Sequence, residues 1–256
     1  MTGDPRTTIT WGILPEGCLD RILLCSPHFD DAALGAAYLL FAHPGSTVVT
    51  VCGGRPPDYP DPPTEWDALG GFRTGDDVVG LRREEDRAAM DVFGATPVWL
   101  EFVDHQYQTP AERAEPKDVA DALEGVIDDV QPTAVFLPMG LANPDHVLTH
   151  DAGALLAARR SDLTWFCYED SGYKHIPGML AWRISKLFAS ELWPTPMVVA
   201  AELDHARKRT AIECYKSQLP PLNRDHSLGA RLGGNVPEQH WLLAPPPPGW
   251  ERMRGM

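Results

Sequence analysis

Short apolar runs alternate with longer amphipathic stretches along most of this chain, and that alternation restricts the fold more than any other feature. Runs 21–26, 47–52, 98–103, 133–138 and 163–168 read as strands, and segments 31–42, 76–93, 117–130 and 146–159 between them read as helices. Parallel strands need long crossovers, and those crossovers are right-handed, so the βαβα order implies a mostly parallel sheet with helices on both faces.

The expected fold class is therefore α/β, a three-layer Rossmann-like fold. With 256 residues the chain suits a single domain, 1–256, with its core at about 21–218 and an irregular tail at about 219–256 that carries the proline run 245–248. Segment 55–75 is rich in Pro, Gly and Asp and has no period, which predicts a long loop placed as a lid over a site. Later in the chain, 197–203 reads as a further strand and 205–218 as a helix.

Charge narrows the partners. With 36 acidic against 22 basic residues the net charge of −14 repels phosphate backbones and anionic membrane surfaces, so nucleic acid is not expected as a partner. No apolar run reaches about eighteen residues, and the amino-terminal segment lacks a basic-then-apolar profile. The expectation is a cytoplasmic protein with no membrane insertion; nothing in the sequence specifies an oligomeric state. The five cysteines contain no CxxC and so indicate neither a disulfide framework nor a thiolate zinc site, and Cys25, Cys52 and Cys167 sit in apolar runs as core residues.

Open parallel sheets bind ligands outside the carboxyl ends of their strands. His28-Phe29-Asp30-Asp31 follows the first strand, Asp104-His105 the third, Asn143-Pro144-Asp145-His146 the fourth and Glu169-Asp170 the fifth, so polar groups cluster where a site belongs. Metal-assisted hydrolysis needs about three nitrogen or carboxylate ligands, an open position for water and a base that is not a ligand. His28, Asp31 and His146 suit the ligand roles and Asp30 the base. Two other readings stand beside this one: Asp30 or Asp31 caps a helix, and His146 is a surface or core histidine.

The combination resembles the PIG-L/LmbE deacetylase family. Ser26-Pro27-His28-Phe29-Asp30-Asp31-Ala32-Ala33-Leu34-Gly35 is similar to that family's opening (A/S-P)-H-P-D-D-E-x-L-G signature, with Phe29 in place of proline and Ala32 in place of glutamate. Arg82-Arg83-Glu84-Glu85, then Ala89 and Phe93-Gly94, resemble its R-x-x-E helix ending in L-G; the strand ending at Asp104 and the stretch 138–151 resemble its later strands and its H-x-D-H segment. Lys208, Ala211 and Tyr215-Lys216-Ser217-Gln218 resemble its late helix, so the likeness runs from about residue 21 to 218.

That resemblance implies Zn2+ held by His28, Asp31 and His146, Asp30 as general base, and Arg82 and Asp104 as substrate-binding residues. It implies a hydrolase that removes an N-acyl group, first of all N-acetyl, from an amino-sugar conjugate or similar polar small molecule. The alternatives are an amidase acting on a sugar-thiol conjugate and a catalytically impaired binding protein. The departure is Asn143, which replaces the first histidine of H-x-D-H: an amide donates a hydrogen bond to an oxyanion but delivers no proton. His150, one helical turn after His146, reads as a group supporting the metal ligands or as a plain surface histidine, the latter favoured. Glu169 and Asp170 read as substrate or metal-supporting groups or as a solvated loop. Trp66, Tyr173 and Trp182 read as sugar-stacking rings or packing anchors. Of the remaining histidines only His105, beside Asp104 at a strand end, is a candidate for the site.

Overall fold

The structure is a computed structural model, and it describes Leu14 and residues 16–199, 202–227 and 238–246. Five strands, β1 (Ile22–Ser26), β2 (Thr47–Thr50), β3 (Thr96–Trp99), β4 (Ala134–Pro138) and β5 (Thr164–Tyr168), pair in parallel. β6 (Trp193–Met197) and β7 (His240–Ala244) extend them into a seven-stranded sheet of order β3-β2-β1-β4-β5-β7-β6, with β7 antiparallel to both of its neighbours. The helices are α1 (Asp31–Gly35), α2 (Ala37–Ala42), α3 (Glu65–Leu69), α4 (Val78–Phe93), α5 (Pro116–Val130), α6 (Pro144–Ala157), α7 (Met179–Ala189), α8 (His205–Ile212) and α9 (Leu219–His226).

Both faces of the sheet are covered, which explains why its strands read as unbroken apolar runs. Ile22 and Leu24 of β1 join Leu34, Leu39, Val79, Phe93 and Ala211 on one side, while Leu23 and Cys25 join Leu123, Ile127, Ala152 and Leu156 on the other. Each large aliphatic side chain among them, fully buried, contributes about 1.5–3 kcal/mol. Cys25, Cys52 and Cys167 are buried in these cores as free thiols. α4 shows how sequence sets an element: Asp77 caps it by accepting from the Gly80 amide, its buried positions recur every three or four residues with charged Arg82 and Asp86 among them, and Gly94, at φ 71°, ends it in the left-handed conformation.

Several expectations need correction. The single helix over 31–42 breaks at Ala36, whose φ of −144° lies outside the helical range. The strand expected at 197–203 is β6, at Trp193–Met197. Its Pro194 and Pro196 disguise it, yet an edge strand tolerates residues that cannot donate to a ladder. The helix over 205–218 stops at Ile212, and the following turns carry Tyr215 and Ser217 to Asp86 and Glu85 of α4. The described part of the tail carries two regular elements: α9 begins with prolines in its first turn, where the missing N–H is spare, and β7 inserts between β5 and β6. Residues 1–13, 15, 200–201, 228–237 and 247–256, including half of the proline run and part of the expected 197–203 strand, lie outside the described residues.

The chain leaves β1 toward β2 on one side, while β4 lies on the other side of β1. The carboxyl ends of β1 and β4 thus form the crevice in which open α/β sheets place their ligands.

Candidate active site

β1 ends at Ser26, whose hydroxyl donates to the His28 carbonyl at 2.6 Å and accepts from the Ala32 amide at 3.1 Å. This one side chain fixes the turn and starts α1. Asp30 stands at the helix N-cap position without any side-chain capping bond, and the Asp31 carboxylate turns back to accept from the His28 amide at 3.0 Å. The capping reading of the Asp30-Asp31 pair therefore fails for Asp30, and Asp31 faces the crevice.

Asp31 Oδ2 lies 3.2 Å from His28 Nδ1 and 3.2 Å from His146 Nε2. The second nitrogen of each ring meets its own carboxylate: His28 Nε2 is 2.9 Å from Asp145 Oδ2, and His146 Nδ1 is 2.6 Å from Asp170 Oδ1. Asp170 also accepts from the Leu141 amide at 3.0 Å. One ligand atom from each of His28, Asp31 and His146 lies within 4.8 Å of the others. Two imidazoles and a carboxylate, each imidazole oriented by a carboxylate behind it, form a donor set that suits a catalytic divalent metal such as zinc.

The electrostatics separate the two adjacent aspartates. Burial opposes ionisation of Asp31, but His146 and His28 outweigh it and hold the carboxyl well below its ordinary range. Asp30, also buried, is pushed up to about 7, by burial first and then by the charge of Asp31. A carboxylate poised near neutrality suits a proton acceptor. Burial lowers the His146 imidazole, yet Asp31 and Asp170 raise it to about 9.

A further tier of polar groups stands beyond His28. Asp145 Oδ2 also accepts from the His105 amide at 3.0 Å and lies 2.8 Å from His105 Nδ1. Asp104 Oδ1 is 3.2 Å from the same Nδ1 and caps the short 3-10 turn His105–Tyr107 by accepting from the Gln106 amide. Asp145 sits inside the segment that resembles H-x-D-H, yet nothing in the local sequence marks it for a task, and His105 is marked only by its place beside Asp104.

His28, Asp31, Asp104, His105 and His146 line a cavity of about 330 Å³ that also takes in Asp30, Arg82, Asn143, Trp66, Val79, Tyr107, Tyr173 and Leu222. Buried Arg82 gives Nη2 to Asp67 at 2.8 Å, while its Nε has no hydrogen-bond partner among the described residues. Trp66 donates to Gln218 at 2.8 Å and lines the cavity, so segment 55–75 borders it, with α3 as its helical part. Asn143 Oδ1 caps α6 by accepting from the Asp145 amide at 2.8 Å, and its Nδ2 donates to the Tyr173 hydroxyl at 3.3 Å.

Three other residues lie away from the chemistry. His150 is not on the surface: it is buried, donates from Nδ1 to the Pro138 carbonyl at 2.8 Å, and burial pushes it down to about 3. Trp182 is 45% exposed on α7 and lines no part of the cavity. Glu169 pairs with Lys174 and accepts from Trp241, whereas Asp170 supports His146. No described helix is long and apolar enough to cross a membrane.

A family model described as PIG-L, GlcNAc-PI de-N-acetylase, matches residues 23–157. Among solved structures, the A40926 pseudoaglycone deacetylase is 27% identical with a TM-score of 0.68, over 89% of this chain and 98% of that chain. A triple mutant of a deacetylase from the teicoplanin biosynthetic pathway is 26% identical with a TM-score of 0.69, over 90% of this chain and 100% of that one. The zinc-inhibited form of teicoplanin deacetylase is 25% identical with a TM-score of 0.68, over the same shares. Comparison with curated proteins finds no match.

Proposed function

The chain belongs to the PIG-L family, and from that premise we propose that it is a zinc-dependent hydrolase that removes an N-acyl group from an amino-sugar conjugate or similar polar small molecule. The observation that carries this reading is the meeting of His28, Asp31 and His146 around one point, with Asp30 raised to about 7 beside them in the same cavity. Similar deacetylases belong to the teicoplanin pathway or act on the A40926 pseudoaglycone, so glycosylated natural products bearing an N-acylated amino sugar are the first substrates to test. The net charge of −14 fits a small-molecule substrate better than a nucleic acid.

His28, Asp31 and His146 would hold the zinc, and the bound ion would supply Lewis acidity toward water and the acyl carbonyl. Asp30 takes the proton of a water beside it, and the oxygen attacks the acyl carbon. The Asn143 amide, which keeps one N–H beyond its bond to Tyr173, lends a hydrogen bond to the oxyanion as charge develops. Arg82 and Asp104, both on the cavity wall, hold the sugar.

The test is metal analysis of purified protein alongside acetate release from a panel of N-acetylated amino-sugar conjugates. The expected result is one zinc per chain and acetate release abolished by chelation and restored by zinc. Metal-free protein with no acetate release after zinc is added overturns the reading.

A further inference from the structure

Asp30 and the ligand set account for attack on the acyl carbon, but an amine leaves only when its nitrogen is protonated, and Asn143 has no proton to give. We propose that His105 is a catalytic residue whose Nε2 donates that proton to the departing nitrogen; this rests on the hydrolase reading above.

The geometry assigns His105 on four grounds. Its ring lines the same cavity as His28, Asp30, Asn143 and His146. Nδ1 and the backbone amide are both held on Asp145 Oδ2, at 2.8 and 3.0 Å, so the ring cannot turn away. Nε2 bonds to no described residue and is the edge left for a ligand. The same Asp145 oxygen holds His28 Nε2, which ties His105 to the ligand set, with the two ring centres 6.4 Å apart. A substrate amide between them meets the attacking oxygen on one part of its frame and an imidazole on another.

Other groups in reach are less suited. Burial pushes the Tyr173 hydroxyl up to about 12, Tyr107 gives its proton to Asp67 at 2.7 Å, and His150 lies in the core. His226 lines the cavity from the last turn of α9, its ring packed edge-on against Tyr173. The charges facing His105 favour its protonated form: Asp104 first and then Asp145 raise it to about 9, against the opposing effect of burial. His105 makes no hydrogen bond to His28, Asp31 or His146.

The step balances. Asp30 takes one proton of water, and the remaining hydroxide adds to the acyl carbon. The C–N bond then breaks, its electron pair goes to nitrogen, and nitrogen takes the Nε2 proton of His105. The proton on Asp30 passes through solvent back to His105, so amide and water become carboxylate and ammonium after ordinary equilibration.

The experiment compares wild type with His105→Asn and His105→Gln. Asparagine keeps a donor where Nδ1 faces Asp145 and deletes Nε2; glutamine keeps a donor near Nε2 that carries no transferable proton. Each protein is assayed on an N-acetyl amino-sugar conjugate and on p-nitrophenyl acetate, whose leaving group departs unprotonated. Expected is a fall of about 10²-fold in kcat on the amide for both variants, with little change in KM and with the ester rate within about threefold. Zinc content and thermal unfolding of His105→Asn should match wild type. As a readout independent of turnover, the 15N resonance of His105 Nε2 in the zinc-loaded protein should shift when glucosamine and acetate are added. Equal losses on amide and ester, or an unmoved resonance, overturn the assignment. A wild type that cleaves amides alongside variants that match it overturns His105 alone, whereas a zinc-loaded wild type that cleaves neither substrate overturns the hydrolase reading and this proposal with it.

Discussion

Asp170→Asn probes the support behind the proposed metal site. Asp170 is 1% exposed, its Oδ1 lies 2.6 Å from His146 Nδ1, and its Oδ2 accepts from the Leu141 amide at 3.0 Å. Two N–H donors thus face two carboxylate oxygens. Asparagine offers one oxygen and one NH2, so either His146 or Leu141 loses its acceptor and a buried donor goes unsatisfied, costing about 1–3 kcal/mol. At roughly 2–4 °C per kcal/mol for a chain of this size, the melt of the metal-free protein falls by about 2–12 °C. Deleting a carboxylate behind a metal-bound histidine lowers affinity about 10- to 100-fold, or about 1.4–2.8 kcal/mol. Zinc affinity by competition with a chromogenic chelator, measured beside thermal unfolding with and without zinc, reads both losses. A lowered melt with undiminished zinc affinity would refute the claim that Asp170 acts through His146.

Other substitutions separate the remaining roles. Asp31→Ala should abolish stoichiometric zinc binding by metal analysis, because it removes the carboxylate shared by both histidines; full zinc retention would reject the ligand set. Asn143→Ala should cost about 1 kcal/mol of stability in urea unfolding for the lost α6 cap. It should also lower kcat by about 10²-fold with zinc still bound, and near-normal turnover would leave Asn143 with the cap alone. His150 is held down near 3 by burial, against an ordinary value of 6.5, so its contribution is present above pH 6.5 and is lost as pH falls toward 3. Between pH 7 and pH 5 that loss is roughly 2 kcal/mol. His150→Asn, which keeps a donor to the Pro138 carbonyl, should lose correspondingly less stability over that interval in urea unfolding, and equal losses in both proteins would contradict the buried, neutral state.

The parts of the fold that read cleanly were those in which local pattern and burial agree. β1, β4 and β5 are buried on both faces, so their composition alone marks them, and the loops after them carry the polar groups that meet in the crevice. β6 and β7 escaped because their identity depends on a partner distant in sequence: Trp165 pairs with Leu243 and Pro194 with Leu243 across the antiparallel edge. Nothing local in a proline-interrupted stretch announces such a pairing. The site shows the same division. His28, Asp31 and His146 stand in a recognisable pattern, whereas His105 and Asp145 become partners only when the turn after β3 is folded against the start of α6, forty residues later. Spacing along the chain placed His150 beside His146, but spacing does not say which side of a helix points inward, and the His150 ring went to the core.

In the proposed mechanism turnover depends on Asp30 acting as the base beside the metal-binding trio, and one measurement addresses that directly: kcat of Asp30→Asn relative to wild type on an N-acetyl amino-sugar conjugate, both proteins at the same measured zinc occupancy. Asparagine preserves size and some hydrogen bonding but cannot take a proton near neutrality. The expected result is a fall of at least about 10²-fold in kcat with KM and zinc content little changed. Wild-type turnover in the zinc-loaded Asp30→Asn protein would contradict the base assignment and the mechanism built on it.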